Sequence, residues 1–100
     1  MSKLRNSAKG QQCQIRLPNV CNYNPETVVL AHYRMAGQCG VGMKPADAPF
    51  GAYACSTCHD SVDARTWPEG YSRAELRHAH AEGCLRTMAI MIEDGLIEVK

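Results

Sequence analysis

Two cysteines and a histidine that fall within five positions are the residues best suited to chemistry in this chain. Cys55 and Cys58 form a C-x-x-C pair, and His59 follows directly. Two thiolates at this spacing can bind one zinc ion. Cys13 and Cys21 lie upstream in a stretch rich in proline and asparagine, so a second pair is available. The four cysteines therefore predict a structural zinc site that closes from two distant segments.

Other uses of the six cysteines are open. Cys39, in a glycine-rich stretch, is the rival for one zinc position, while Cys84 is predicted to be a core thiol. A redox dithiol is disfavoured because no strand-helix-strand pattern surrounds the C-x-x-C pair. Three disulfides are disfavoured because residues 1–12 are polar and basic, unlike a secretory signal. We therefore expect reduced thiols and a cytoplasmic protein.

The length of 100 residues, with one tryptophan and one phenylalanine, predicts one domain with a small core. A bound metal would supply part of the stability that such a core lacks. We expect a flexible basic arm over residues 1–12 and a single zinc-bound domain over residues 13–100. No apolar stretch approaches the roughly 20 residues of a membrane span, so no membrane partner is expected.

The net charge of +1 hides an uneven distribution. Residues 1–46 carry six basic residues and one acidic residue, a net charge of +5, whereas residues 47–100 carry five basic and nine acidic residues, a net charge of −4. A basic half of this kind favours contacts with the phosphate groups of a nucleic acid, either DNA or RNA. The predicted contacts are Arg16, Arg34 and Lys44 of this half, together with Arg65, which follows the predicted helix segment of the other half.

Strands and helices are predicted around these residues. Residues 27–33 are apolar and β-branched enough for a strand that carries His32 near its end. A long irregular loop over residues 37–51 follows, then a short strand around Tyr53 and a helix over roughly residues 56–65. Ser72 and Glu75 form a capping box, which predicts a second helix that runs to about Glu93. A short strand over residues 96–99 completes the prediction.

The second helix predicts a buried stripe of residues at helical spacing. Its members are Leu76, Ala79, His80, Cys84, Met88, Met91 and Ile92, and the exposed face carries Arg73, Arg77, Glu82, Arg86 and Glu93. His80 and Cys84 lie one turn apart and could clasp a metal. A packed, neutral histidine is the preferred interpretation of His80.

His32 and His59 are candidates for catalysis as a pair. On a helix, the side chain of His59 points roughly 100° away from that of Cys58, toward the face on which a strand bearing His32 could lie. One histidine could then hold a divalent ion on a phosphate while the other deprotonates a water. Phosphodiester hydrolysis requires this division of labour.

At this point the sequence resembles a known family. The order of basic arm, cysteine pair, strand ending in His32, loop and C-x-x-C-H helix is similar to the HNH (ββα-metal) endonucleases with a cysteine-bound zinc. More closely, the run from Arg16 to Thr27, the Ala31-His32-Tyr33-Arg34 segment and the C-x-x-C-H-D segment resemble small lambdoid-prophage proteins of the YbcO type. The resemblance implies an α+β, treble-clef-like domain with an additional C-terminal helix. It also implies that His32 is the general base and that His59 binds the catalytic metal.

Two departures from the HNH pattern bear on activity. Ala31 occupies the position where these enzymes often carry a further metal ligand, and the middle asparagine has no clear counterpart. Asp63, one helical turn after His59, could supply the missing carboxylate. Two functions therefore stay open. One is a DNA endonuclease that depends on Mg²⁺ or Mn²⁺, and the other is an inactive zinc-stapled module that binds nucleic acid or serves as an adaptor.

Overall fold

A two-stranded sheet, a short helix and a long helix form the frame of the protein. The structure is a computed structural model and describes residues 3–33 and 50–98. The elements are helix α1 (Lys3–Asn6), a 3-10 turn (Pro25–Thr27), strands β1 (Val29–His32) and β2 (Gly51–Ala54), helix α2 (Ser56–Val62) and helix α3 (Arg73–Glu93). The predicted α+β class is therefore confirmed, and so are the strand that ends in His32 and the short strand around Tyr53.

The two strands pair antiparallel, with Val29 opposite Ala54 and His32 opposite Gly51. All four residues of β2 are buried, because α3 packs against this strand. Among the residues that the structure describes, Tyr53 is the largest fully buried side chain. Its backbone N–H donates a hydrogen bond to Oγ1 of Thr87 at 2.9 Å. β2 is therefore the central element of the core, and β1 pairs with it and ends at His32.

Residues 3–10 are packed on the core, whereas a flexible arm is expected over residues 1–12. Leu4 and Ala8 are buried in the core, with 4% and 1% of their surface exposed. Ser7 Oγ lies 2.8 Å from the hydroxyl oxygen of Tyr53. Leu4 and Ala8 are spaced by one helical turn, so a single apolar face is enough to hold the segment on the sheet. The surrounding basic and polar residues conceal this short pattern in the sequence.

Helix α3 begins and ends as the sequence predicts. Ser72 Oγ accepts a hydrogen bond from the Glu75 N–H at 3.1 Å, and the Glu75 carboxylate accepts one from the Ser72 N–H at 2.8 Å, which completes the capping box. The helix ends at Glu93, and Gly95 adopts the left-handed φ of 75° that glycine tolerates best.

The buried stripe of α3 is predicted in part. Leu76, His80, Cys84 and Met91 are buried, and the five residues predicted to be wet are exposed. Ile92, however, is 44% exposed, and Gly83 and Thr87 are buried in addition. Small residues at these two positions let α3 approach β2 closely. Arg86 also donates two hydrogen bonds to the Gln14 carbonyl, at 2.9 and 2.6 Å.

Three predicted segments differ from the structure or extend beyond the described residues. Helix α2 ends at Val62 rather than residue 65, and Ala64 takes a left-handed φ of 63°. Residues 96 and 97 form bends and residue 98 has no regular structure, so they do not form the predicted strand, and Val99 lies outside the described residues. Of the predicted loop over residues 37–51, only positions 50 and 51 are described. Within the described ranges, none of the helices combines the length and apolarity that crossing a membrane requires.

The close approach of α3 can be tested at Gly83. A Cβ added there would lie 2.9 Å from Ile15 Cγ1 and 3.2 Å from Ala52 Cβ. Gly83→Ala should therefore lower the free energy of unfolding by about 1–3 kcal/mol through overpacking, although alanine favours a helix. Urea denaturation measures this change, with His78→Ala on the exposed face as the control. Unchanged or higher stability of Gly83→Ala would contradict the close packing.

Candidate metal centre and active-site cleft

Four cysteine sulfurs come together at the N-terminal end of α2. The Sγ atoms of Cys13, Cys21, Cys55 and Cys58 all lie within 4.8 Å of one another. Cys21 is half-buried and the other three are buried. The predicted grouping of the two cysteine pairs is therefore confirmed. Cys39, the predicted rival, lies outside the described residues.

Local backbone geometry brings the two segments together. Cys55 is the N-cap of α2 and Cys58 lies in its first turn, so both sulfurs face the same point. The upstream loop reverses direction through left-handed φ angles of 52° at Arg16 and 64° at Asn19. The Arg16 N–H lies 3.4 Å from Cys13 Sγ and donates to it. This turn returns the chain toward α2, where Cys21 Sγ lies 3.7 Å from Cys55 Sγ.

The thiols influence one another's ionisation strongly. A hydrogen bond from the Cys58 thiol lowers the pKa of Cys13 well below its ordinary value, and the same interaction raises the pKa of Cys58. Burial raises the pKa of Cys21 to about 11. Without a cation the sulfurs therefore share protons, since four thiolates would repel one another. A divalent cation replaces those protons, and four sulfur donors with no oxygen among them fit a structural metal such as zinc.

Removing one thiol should remove the metal and much of the stability. Cys58→Ser is expected to lose the stoichiometric metal and to melt well below the parent protein, because the binding free energy of a structural metal is folding free energy. Metal analysis and thermal denaturation measure both effects. Cys84→Ala is the matched control, because Cys84 is buried but lies outside the sulfur cluster. If Cys58→Ser kept the metal and the melting temperature, Cys58 would not be a ligand.

A polar cleft lies where three elements converge. His32 at the end of β1, Asp63 at the C-cap of α2, and Arg73, Arg77 and His80 of α3 line it together with Val62, and its volume is about 110 Å³. The five polar side chains could bind and protonate an anionic group, because two are permanent cations and two are histidines. Two predicted site residues, His32 and Asp63, therefore share one cleft.

The third predicted residue, His59, lies on the neighbouring surface. It borders a groove of about 520 Å³ together with Arg5, Lys9 and Glu26. His59 and Asp63 are one turn apart on α2, and the Asp63 N–H donates to the His59 carbonyl at 2.9 Å. The helix therefore connects the groove to the cleft and presents one side chain near each.

His80 supports the strand that carries His32. The residue is 6% exposed, and its Nε2 lies 2.8 Å from the carbonyl oxygen of Ala31. Since that oxygen can only accept, Nε2 is the protonated nitrogen. The ring also packs edge-on against Tyr33, with 5.0 Å between ring centroids. The residues on both sides of His32 are thus held by one buried histidine, which is packed as predicted.

The arginines of α3 are the functional candidates that sequence reasoning missed. Arg73 and Arg77 are exposed, as the helical pattern predicts, but they also line the cleft. Arg73, Arg77 and His80 are spaced by four and three positions, so all three lie on one face of a helix. The sequence therefore indicates this shared face, but it does not show that β1 and α2 pack beside it.

The predicted nucleic-acid contacts are placed in different surroundings. Arg16 donates from Nε to the Cys13 carbonyl at 2.7 Å, beside the sulfur cluster. Arg65 pairs with Asp63 at 3.4 Å and with Asp60 at 3.8 Å. Arg34 and Lys44 lie outside the described residues. The structure therefore describes the surroundings of two of the four.

His80 should make stability depend on pH. Burial lowers its pKa, Arg77 and His59 act in the same direction, and the Ala31 carbonyl and Asp63 oppose them. Below about pH 6.5, His80 binds a proton more readily in the unfolded chain than in the folded protein. The free energy of unfolding should therefore fall as the pH decreases. Urea denaturation from about pH 7.5 to 5.5 measures the slope. His80→Gln should flatten it and the exposed His78→Gln should not, whereas equal slopes in both variants would contradict this assignment.

Comparison with known proteins assigns the class and then the family. The fold and the site define a small α+β protein with a cysteine cluster that could hold a metal and an adjoining polar cleft. Residues 2–96 match the family described as "Putative nuclease YbcO", and the chain belongs to that family. A nuclease is therefore the class of enzyme that the family indicates.

Relatives of nearly the same length agree with this assignment. Proteins named "Putative nuclease YbcO" from Escherichia coli (strain K12) and "Putative nuclease ybcO" from Enterobacteria phage 82 are each 46% identical over 100 residues, covering 98% of this chain and 99% of the relative. A solved structure titled "Structure of a putative bacteriophage protein from Escherichia coli str. K-12 substr. MG1655" is 41% identical, with a TM-score of 0.76. The match covers 93% of this chain and all of that one.

Proposed function

We propose that the protein is a metal-dependent DNA endonuclease of the HNH type, built on a treble-clef-like ββα-metal unit. In this proposal Cys13, Cys21, Cys55 and Cys58 hold a structural zinc ion. His32 is the general base, His59 binds a catalytic Mg²⁺ or Mn²⁺ ion, and Asp63 is a second ligand for that ion. The convergence of His32 and Asp63 with two arginines in one cleft is the observation that carries the proposal.

The surroundings of His32 suit a general base. The side chain is half-buried at the end of a strand, and the buried hydrogen bond from His80 to Ala31 fixes the preceding peptide. A histidine held in this way is positioned to take a proton from a water. A divalent ion, when bound, would stabilise negative charge on the phosphate and the leaving oxygen.

Arg73 and Arg77 give the cleft its affinity for a phosphate. Guanidinium groups match phosphate oxygens in pairs, and they keep their charge at any pH where the protein folds. Arg77 is supported by the Tyr33 ring, 4.4 Å from its guanidinium carbon. This contact orients the cation before a substrate arrives. The scissile or a flanking phosphate is therefore expected between these arginines and His32.

DNA as the substrate is supported by charge on the adjoining groove. Arg5 and Lys9 of the basic N-terminal segment border the groove next to His59. Because Leu4 and Ala8 are buried in the core, the backbone that carries these two cations is held against the sheet. Arg16, Arg34, Lys44 and Arg65 remain proposed contacts to more distant phosphates. A nucleic-acid backbone that spans groove and cleft would pass both histidines.

A second function, an inactive nucleic-acid-binding or adaptor module, is favoured by one observation. Asp63 is the one carboxylate among the described residues that line the cleft, and it already pairs with Arg65 at 3.4 Å. Ala31, where a further ligand often lies in similar enzymes, is 1% exposed and offers no donor atom. Binding of the ion would therefore require Asp63 to exchange its partner.

Plasmid nicking with Mg²⁺ or Mn²⁺ tests the enzyme. His32→Ala and His59→Ala should each lose at least about a hundredfold in rate, because general-base catalysis and metal-assisted charge stabilisation are both of this size or larger. Each variant must retain its stoichiometric metal at the cysteines. His78→Ala is the matched control, since this histidine is 74% exposed on α3 and does not line the cleft.

The outcomes separate the two functions. Cleavage by the parent and the His78→Ala control, with loss in both other variants, supports the HNH mechanism. Cleavage that is equal in all four proteins would exclude the two assigned roles. If the parent cuts with neither ion but shifts DNA in a gel, the binding module becomes the better description.

A further inference from the structure

The one tryptophan of the chain is exposed beside the cleft. Trp67 lies in the connection between α2 and α3 and is 60% exposed. Its Nε1 donates to the Tyr71 carbonyl at 2.9 Å, and the Tyr71 hydroxyl donates to the Pro18 carbonyl at 2.8 Å. These two hydrogen bonds hold the edge of the indole and connect it, through Tyr71, to the loop between Cys13 and Cys21. The ring is therefore held in place while much of its surface stays in water.

Arg73 connects this ring to the cleft. Its guanidinium carbon lies 5.7 Å from the centre of the Trp67 ring, within the range of a cation–π contact. Arg73 also lines the cleft with His32 and Asp63. One cation thus contacts both the exposed aromatic ring and the proposed site of hydrolysis.

A depression with hydrogen-bonding groups is also bordered by Trp67. Its volume is about 260 Å³, and Trp67 borders it together with the polar residues Asn19, Thr57, Asp60 and Thr66. An amide, hydroxyls and a carboxylate can donate to and accept from the edge of a nucleobase. An aromatic face next to such groups is an arrangement by which proteins bind unpaired bases.

We propose that Trp67 is a stacking platform for an unpaired nucleobase, and that Arg73 binds the adjoining phosphate and directs the strand into the cleft. Bases within a duplex are covered by their neighbours, so their faces cannot reach an indole. The preferred DNA is therefore single-stranded, or has a single-stranded segment next to the bond that is cut. This inference rests on the proposed function, because it names the substrate class of the same site.

Binding measurements test the platform without requiring cleavage. Full-length His32→Ala protein, with its cysteine-bound metal retained, is titrated into fluorescein-labelled 12-nucleotide oligodeoxythymidylate and into a labelled 12-base-pair duplex, both followed by anisotropy. The single-stranded probe should bind more tightly. It should also quench the fluorescence of the lone tryptophan saturably, whereas the duplex should not.

Substitutions locate the effect at the ring. Adding Trp67→Ala should weaken binding of the single strand by about fivefold or more, as expected for loss of one stacked base, and should change duplex binding little. Trp67→Phe should restore most of the affinity, because it keeps an aromatic face. Tyr23→Ala is the matched control, since Tyr23 is an exposed aromatic residue, 66% accessible, that borders neither depression. Circular dichroism and metal content establish that each variant is folded.

The outcomes distinguish this inference from the proposed function. If Trp67→Ala binds the single strand as tightly as its parent, or if the duplex quenches the tryptophan equally, the stacking platform is excluded even when the wild type cuts plasmid DNA. If the wild type cuts no DNA but the single strand binds through Trp67, the platform stands and the nuclease mechanism fails.

Discussion

The convergence of four sulfur atoms is the constraint on which the rest of the structure depends. Cys55 follows β2 directly and Cys58 lies in the first turn of α2, so the cluster fixes where the hairpin ends and the helix begins. The loop that carries Cys13 is also bonded to the sheet, since the Gln14 N–H donates to the Tyr53 carbonyl at 2.7 Å. The core contains few large apolar residues, so packing alone would hold the loop, the hairpin and α2 together only weakly. A cation bound by all four sulfurs would add stability at this point.

Helix α2 transmits that constraint to the polar residues. Its first turn belongs to the sulfur cluster, His59 directly follows Cys58, and Asp63 is the C-cap of the helix. A helix of seven residues has little stability of its own, so its position is determined by its attachments. The sulfur cluster and the proposed metal ligands His59 and Asp63 are therefore attached to one short helix. Loss of the cluster would displace these two residues even if the residues that line the cleft were unchanged.

Features encoded by local spacing could be predicted from the sequence. The capping box at Ser72, the paired cysteines and the strand that ends in His32 are of this kind, because each depends on neighbours within a few residues. The packing of Leu4, the close approach at Gly83 and the role of Arg73 in the cleft could not be predicted. Each of these depends on how α3 and α1 lie across the sheet, and a helical pattern specifies a face but not the element that it meets.

The packing of α3 has a consequence for how the chain length can vary. Gly83 and Thr87 fix the rotation and depth of the helix on β2, and Arg73, Arg77 and His80 take their directions from that seating. One residue inserted between His80 and Gly83 would turn the N-terminal half of the helix by about 100° relative to the sheet. The C-terminal half of the helix could stay packed, while Leu76, His80 and the arginines would turn away from the positions that they occupy in the core and the cleft. The register of this segment, as well as its composition, is therefore restricted.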